Sequence, residues 1–343
     1  MKIFNNHWFC AALSLELKTV GDYKTIDLPH ISIVIYNTRH GFIAFENSCP
    51  HRKNKIFKSE KGNSASITCP LHGWSFKTDG AVKEIPFADY YDDGEYLKKL
   101  CLHKIQIKSV GIFIFVCLDD KFLFENQYHQ SLIETLLSLS SQLDNEITQT
   151  VIPIDQNWLL PIHILNDPFH VPFVHPKTLN KLRKFKPFSL PDLKDYEKPN
   201  LQSLSFETIS SDQPIEKNEN WHKLVEQIQD YGSVYSDLYC FPNLHLSIDR
   251  GFSATIEISI PINPKKTNIY FSFITAKKNE KNRVFNAVNF ESIKQGLAIY
   301  LEDISAMQGI QENLNKNDNW NISLGDYMHK SHFRKIYNYV NLK

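Results

Sequence analysis

Residues 49–74 read CPHRKNKIFKSEKGNSASITCPLHGW, and the reading of this stretch decides what the N-terminal part of the chain must be. Cys49 and His51 stand in one short run and Cys69 and His72 in another, with seventeen residues between His51 and Cys69. Two thiolates and two imidazoles delivered by two loops are a metal-binding set. A structural zinc ion is one candidate, although zinc pairs are usually separated by roughly two to four residues and Cys-x-His is tighter. A binuclear iron–sulfur cluster, with two cysteines on one iron and two histidines on the other, explains the repeated order better, because each loop then gives one ligand to each iron. Gly73 and the prolines suit loops whose backbone lies close to such a cluster and donates hydrogen bonds to sulfur. Arg52 and Trp74 admit both a packing role and a functional one.

Outward from this stretch, residues 1 to about 125 are dense in short β-type runs, ISIVIY, GFIAFE, SASITC and GIFIFVCL, divided by glycine, asparagine and aspartate turns. They predict an all-β domain over residues 1–125. Beyond it, SLIETLLSLSSQL has apolar residues at helical spacing. Residues 126–343 then predict an α+β domain, with strands in LYCFPNLHLSI, ATIEISIPI and NIYFSFITA and a helix from about Phe290 to Leu314. The lysine- and proline-rich segment from Pro176 to Asn200 lacks a period and reads as a long surface loop. Its basic run, Lys177 to Lys186, reads as a solvated face rather than a docking patch. Cys10, Cys101, Cys117 and Cys240 lie in apolar, strand-like settings and read as buried free thiols.

Composition narrows the function classes. Thirty-eight basic and thirty-eight acidic side chains leave no overall field that would draw the chain to nucleic acid or an anionic membrane. The longest apolar run, VGIFIFVCL, is far short of the ~20 residues a bilayer needs. At the N-terminus, Asn5, Asn6 and His7 interrupt the apolar run, which argues against a secretory leader. Six irregularly spaced cysteines point to a reducing compartment, hence the cytoplasm. No glycine-rich dinucleotide fingerprint is present.

A second cluster of candidates lies in LNDPFHVPFVHP, residues 165–176. His170 and His175 at i, i+5 sit about 140° apart on a regular helix, whereas Asp167 and His170 at i, i+3 are neighbours. Kinks at Pro168 and Pro172 would let His175 swing back towards His170. One reading is a proline-interrupted core segment whose histidines satisfy backbone carbonyls. Another is a metal pair awaiting a carboxylate, either Asp167 or one from elsewhere. An electron carrier joined to a second domain needs an acceptor, and a ferrous ion on two histidines and one carboxylate, with open positions for dioxygen, would serve.

Over nearly its whole length the sequence resembles the catalytic α subunits of Rieske non-haem iron oxygenases. The resemblance runs through HWFCAALSLEL, CPHR, CPLHGWSF, QNWLLPIHILNDPFHVPFVHP, YCFPNLHLSI and LEDISAMQGIQENL. It implies an all-β Rieske [2Fe-2S] domain, inserted in or followed by a helix-grip-like α+β catalytic domain with an antiparallel sheet. Carried onto this chain, it makes Cys49, His51, Cys69 and His72 the cluster ligands. His170, His175 and Asp303 become the ligands of a mononuclear iron, with Gln311 eight residues beyond Asp303 and Glu302 the local competitor. Asp167 would be an electron-transfer bridge, joining a histidine ligand of the iron to the Rieske histidine, His72, of a neighbouring subunit.

The activity implied is hydroxylation or oxidative demethylation of a small organic substrate with O2, closer to the demethylase and quaternary-amine branches than to the ring-dihydroxylating ones. A cis-dihydroxylating dioxygenase and, in another class, a non-catalytic Rieske electron-transfer protein are the alternatives. A separate NAD(P)H-dependent reductase, with or without a ferredoxin, and a homotrimeric assembly are implied with it. Two departures stand out: His163-Ile164 where many relatives have Glu-Asn, and Lys53-Asn54 where many have Gly-Ala. Neither is expected to touch a ligand, and His163 is expected to pack near the iron rather than bind it.

Overall fold

In the N-terminal unit, Phe4–Leu123, the short runs become strands β1 Phe9–Leu13, β2 Asp22–Leu28, β3 Ile31–Thr38, β4 Gly41–Glu46, β5 Lys61–Asn63, β6 Ile67–Thr68, β7 Ser75–Phe76, β8 Val82–Glu84, β9 Lys104–Val110 and β10 Phe113–Cys117. These positions come from a computed structural model that describes residues 2–91, 97, 99–165, 170–178, 192–195, 204–210, 220–232, 234–280 and 282–316. One antiparallel sheet runs β1-β10-β9-β4-β3-β2-β5, and β6-β7-β8 form a separate small one. Strand β10 is buried at every position, which is why its sequence shows no alternation. Between the small sheet and the larger one, Tyr23, Tyr36, Phe45, Ile56, Phe57, Trp74 and Phe76 form a core that also takes in Cys49 and Cys69.

A buried ion pair ties down the start of this unit. Lys24 on β2 is fully buried, and its Nζ lies 3.0 Å from Glu16 Oε2. Glu16 belongs to the SLEL segment and also accepts from the backbone N–H of Leu13 at 2.9 Å. Burial alone would raise the Glu16 carboxyl, but the charges of Lys24 and Lys61 outweigh it and bring it down from 4.5 to about 2. A carboxyl whose folded-state pKa is depressed contributes stability above its unfolded value and loses it as the pH falls from 4.5 through about 2. At roughly 1.4 kcal/mol per pKa unit this is up to about 3 kcal/mol. Urea unfolding at pH 7 and pH 3 should therefore show a loss of that order in the wild type. Glu16→Gln should flatten this acid limb and lower stability at pH 7 by about 3–5 kcal/mol, because fully buried Lys24 loses its nearest carboxylate at 3.0 Å. An acid limb of the same slope in the variant would contradict the assignment.

The second unit comprises Met1–Ile3 and Phe124–Lys343. After the helix Gln130–Gln142 come β11 Thr148–Ile154, β12 Asp192–Asp195, β13 Phe206–Ser210, β14 Tyr235–Cys240, β15 Leu244–Asp249, β16 Ser253–Asn263 and β17 Lys266–Thr275. They form one antiparallel sheet in the order β11-β17-β16-β15-β14-β13-β12. Across it lies the helix Val284–Lys316. Ile293, Leu297, Tyr300 and Ile304, spaced at helical intervals, pack on Ile152, Ile154, Ile269 and Phe271 of β11 and β17. The approach is close enough that a Cβ on Gly296 would collide with the Phe271 ring. Met307 continues the same stripe onto Leu160 and Ile164 of the helix Leu159–Leu165.

The α+β expectation holds, with two local corrections. The segment read as loop from Pro176 to Asn200 contains β12, which pairs with β13 at the far edge of the sheet; residues 179–191 and 196–200 lie outside the described ones. An edge strand needs a ladder partner on one side only, so its sequence carries little apolar periodicity. Cys101 is exposed, not buried, because it makes only an isolated bridge to Ala81 outside the main ladders; Cys10, Cys117 and Cys240 are buried thiols as expected.

Candidate metal centres

Two loops of the N-terminal unit bring the first ligand set together. The first leaves β4 and is pinned by buried Asn47, whose Oδ1 accepts from the backbone N–H of Ile56 at 3.0 Å and of Phe57 at 2.9 Å. It carries Cys49 and His51. The second turns between β6 and β7 and carries Cys69 and His72, with the Cys69 N–H donating to the Trp74 carbonyl at 2.8 Å. Gly73 sits at φ +75°, and a Cβ there would meet the Pro86 ring at 3.0 Å, so this turn requires glycine. The imidazoles of His51 and His72 lie with centroids 4.8 Å apart. Trp74, fully buried, stacks on His51 at 4.7 Å and 5°, which gives it a packing role in fixing the orientation of that ring.

Burial is the main influence on Cys49 and lifts its thiol to about 11, with neighbouring Cys69 adding to the rise. A bound cation would reverse that preference and hold both sulfurs as thiolates. Among the described residues, the only three or more such side chains whose ligand atoms all fall within 4.8 Å of one another are His170, His175 and Asp303. In the N-terminal unit the two thiols, Cys49 and Cys69, sit together in one buried cluster, and the two imidazoles, His51 and His72, meet edge to face. That geometry suits two metal ions better than one tetrahedral zinc.

One of the two departures does reach a candidate ligand. Asn54 Nδ2 donates to Cys69 Sγ at 3.8 Å, and the Asn54 carbonyl accepts from the Cys49 N–H at 2.9 Å. The expectation that Lys53-Asn54 touches no ligand is thus corrected. Lys53 at φ +58° turns the chain so that Asn54 faces the sulfur. Hydrogen bonds to a cluster sulfur favour the reduced, more negative state. Asn54→Leu should therefore lower the cluster midpoint potential by about 20–60 mV, the one-electron equivalent of one net hydrogen bond. An unchanged or raised potential by spectroelectrochemistry would exclude this role.

In the second unit, the short helix Val171–Val174 separates the two histidines of the other candidate set. Pro172 occupies its first turn, where a missing N–H costs no helical bond, so it starts the helix rather than kinking it as expected. The helix ends at once: His175 has left helical conformation, with its N–H on the Val171 carbonyl. That early stop brings His170 Nε2 and His175 Nε2 to 3.2 Å, which an uninterrupted helix would not do. Pro168 and Asp167 lie outside the described residues.

Asp303, on the helix Val284–Lys316, closes the set. Its Oδ1 is 3.1 Å from His175 Nε2 and 3.4 Å from His170 Nε2. Asp303 and His175 are 2% and 1% exposed, and Asp303 Oδ1 makes no aligned hydrogen bond. Burial would raise the Asp303 carboxyl, but the two imidazoles outweigh it and hold it below the usual carboxylate range. An orphaned, buried carboxylate oxygen facing two Nε2 atoms is the donor set of a divalent cation with open positions.

Glu302, the neighbouring carboxylate, points elsewhere and is not part of this set. Its Oε2 lies 3.0 Å from His175 Nδ1 and accepts from Thr178 Oγ1 at 2.5 Å, while Oε1 accepts from the Lys177 N–H at 3.3 Å. A carboxylate on Nδ1 places the proton there and turns the Nε2 lone pair towards the shared point. Burial works against an imidazolium at His175, yet Asp303 and Glu302 together raise its pKa. Gln311 is buried and accepts from the Asn157 N–H at 2.7 Å, tying the end of the long helix to the chain after β11. His163, half-buried on the helix Leu159–Leu165, is outside the converging set. Sequence reasoning missed the roles of Glu302, Thr178, Asn47 and Asn54; an acidic pair at the end of an apolar stripe was the one available signal.

Residues 7–105 match the family model of the Rieske [2Fe-2S] domain, and residues 143–335 that of the ring hydroxylating alpha subunit (catalytic domain). The chain is similar to the glycine betaine monooxygenase oxygenase subunit of Pseudomonas aeruginosa strain UCBPP-PA14, 27% identical over 183 residues that make up 53% of this chain and 42% of that protein. It is also similar to the large oxygenase component of the naphthalene 1,2-dioxygenase system of Pseudomonas putida, 28% identical over 189 residues, 52% of this chain and 41% of the other. The match thus spans less than half the length of these curated relatives. The crystal structure of the quaternary ammonium Rieske monooxygenase CntA with L-carnitine shares the fold, with a TM-score of 0.69 at 18% identity over 91% of this chain and 80% of that one. No helix among the described residues is long and apolar enough to cross a membrane.

Proposed function

Because the chain belongs to the family of ring-hydroxylating alpha subunits, which join a Rieske [2Fe-2S] domain to a mononuclear-iron catalytic domain, we propose that it is an oxygenase component that hydroxylates or oxidatively demethylates a small organic substrate. The observation that carries this reading is the convergence of His170, His175 and buried Asp303. A protein that only carried electrons would have no use for a second, open donor set. Cys49, His51, Cys69 and His72 would hold the cluster, and His170, His175 and Asp303 the iron. When bound, the iron supplies O2 activation at its open positions, with electrons arriving through the cluster.

The protein's own contribution is positional. Glu302 keeps the proton of His175 on Nδ1, so that Nε2 presents a lone pair. The stripe Ile293, Leu297, Tyr300 and Ile304 keeps water from the inner side of the long helix and fixes Asp303 against the sheet. Asp167 would bridge a histidine ligand of the iron to the Rieske His72 of a neighbouring subunit in a homotrimer; the family resemblance supports this.

The same resemblance supports a separate NAD(P)H-dependent reductase, with or without a ferredoxin, and a cytoplasmic location. Similarity to a glycine betaine monooxygenase subunit supports the demethylating branch. The comparable match to a naphthalene dioxygenase component keeps cis-dihydroxylation as the second reading. Reconstitution with NADH and a surrogate reductase, followed by O2 uptake against panels of quaternary amines, aryl ethers and polycyclic arenes, tests both. Coupled uptake with formaldehyde release supports demethylation, and a cis-diol product supports the second reading. No substrate-coupled uptake from fully iron-loaded protein would count against oxygenase function.

A further inference from the structure

Next to the Asp303 carboxylate, the sheet presents a row of buried polar groups that the metal-binding residues do not use. Side chains directly opposite one another on antiparallel strands share a face. Phe271 on β17 touches Tyr300 of the long helix, with ring centroids 6.3 Å apart, so its face is the one the helix covers. Glu257 on β16 is the direct partner of Phe271, and His245 on β15 is the direct partner of Glu257. The row Phe271-Glu257-His245 therefore runs along the helix-covered face. Tyr300 stands one helical turn before Asp303, on the same side of its helix.

These groups are deeply buried yet incompletely bonded. Glu257 and His245 are each 4% exposed and Tyr300 is 2% exposed. Glu257 Oε2, Tyr300 Oη and both ring nitrogens of His245 make no aligned hydrogen bond. The nearest groups are Asp237 Oδ1, 3.4 Å from His245 Nε2, and Glu257 Oε1, 4.0 Å from His245 Nδ1. Elsewhere on the sheet such groups are paired: Tyr231 Oη and Ser236 Oγ both donate to buried Glu207 at 2.8 and 2.6 Å. Burying polar atoms without an aligned partner is costly, so a face of this kind beside a metal-binding set suits a polar guest. Burial is the main cause lifting the Glu257 carboxyl to about 7, and nearby Asp303 adds to it.

We propose that His245, Glu257 and Tyr300 form a polar substrate subsite, which takes a hydrogen-bond-donating group, a hydroxyl or a protonated amine, on a substrate whose reacting carbon faces the His170, His175 and Asp303 set. This rests on the oxygenase reading for the identity of the guest as substrate. A bare hydrocarbon would leave Glu257 Oε2 and Tyr300 Oη without a bonding partner and is disfavoured. Phe271 supplies the apolar wall beside them.

Calorimetric titration of the full-length, iron-loaded protein with ethylbenzene, 4-ethylphenol and 2-phenylethylamine tests it. At least one of the two polar ligands should bind ten-fold or more tightly than ethylbenzene. Glu257→Leu should erase that preference. Should that variant fail to fold, Glu257→Gln keeps the shape and should shrink the preference for the polar ligands at least three-fold, the loss falling on 2-phenylethylamine if the guest is an amine and on 4-ethylphenol if it is a hydroxyl; an unchanged preference in Glu257→Gln would overturn the proposal. Equal or tighter binding of ethylbenzene, no binding of either polar ligand at millimolar concentration, or an unchanged preference in Glu257→Leu would overturn the proposal. Iron counted in the same samples keeps the two readings apart: a protein without mononuclear iron that still prefers the polar ligands contradicts the oxygenase, not the subsite.

Discussion

Asp303→Ala is expected to strip the chain of its mononuclear iron while leaving the iron–sulfur cluster intact. Asp303 Oδ1 is the one carboxylate oxygen within 3.4 Å of both His170 Nε2 and His175 Nε2 among the described residues, and it is buried without another aligned bond. Two neutral imidazoles alone form a weak site for ferrous iron, because the carboxylate supplies both the third ligand and the compensating charge. Iron affinity should fall by more than about 100-fold, beyond the ~10–100-fold cost of losing a group that merely orients a ligand. Substrate turnover should fall with it. The visible Rieske absorption should persist, since Cys49, His51, Cys69 and His72 all belong to the Phe4–Leu123 unit. Retention of the mononuclear iron in Asp303→Ala would mean that a different carboxylate completes the set.

The second large effect belongs to Glu302. Its Oε2 accepts a hydrogen bond from His175 Nδ1–H, and the carboxylate is itself held by Thr178 Oγ1 and the Lys177 N–H. Glu302→Leu leaves His175 free to place its proton on Nε2, the atom that faces Asp303. Iron affinity, measured by competition with a chelator, should drop about 10–100-fold. Glu302→Gln can still present an amide oxygen to Nδ1 and should lie between the two. The pH dependence has a definite sign. Asp303 and Glu302 outweigh burial and raise His175, so in the metal-free chain the imidazolium persists to higher pH and competes with the metal. Loading should therefore weaken as the pH falls through that raised value, and removing Glu302 should move the midpoint of this dependence to lower pH. An affinity equal to wild type in Glu302→Leu would reduce Glu302 to a surface contact.

Much of this architecture is legible in the sequence, for physical reasons that differ by element. The cluster loops declare themselves because cysteine and histidine at Cys49, His51, Cys69 and His72 have no cheaper explanation at that spacing. Strands β10, β16 and β17 announce themselves through apolar or alternating runs long enough to show a period. The long helix shows its stripe from Ile293 to Met307, although its ends lie six residues earlier and two later than its periodicity suggests, since Val284–Phe290 is largely exposed there.

What could not be read was any contact set by tertiary placement. Asn54 reaches Cys69 only because Lys53 adopts a left-handed turn, and nothing in the letters KN signals that. Glu302 and Asp303 look interchangeable as neighbours, yet a helical rotation of about 100° sends one to Nδ1 and the other to Nε2. The row Phe271-Glu257-His245 is invisible without the strand register, because its members come from three strands.

The central claim is that the chain holds two separate iron sites, one shared by two irons and one for a single iron. Iron and acid-labile sulfide per chain, measured together on anaerobically reconstituted protein, test it most directly. About three irons and two sulfides are predicted, falling to about two irons and two sulfides in Asp303→Ala. Two irons and two sulfides in the wild type, or a colourless protein holding zinc, would contradict it.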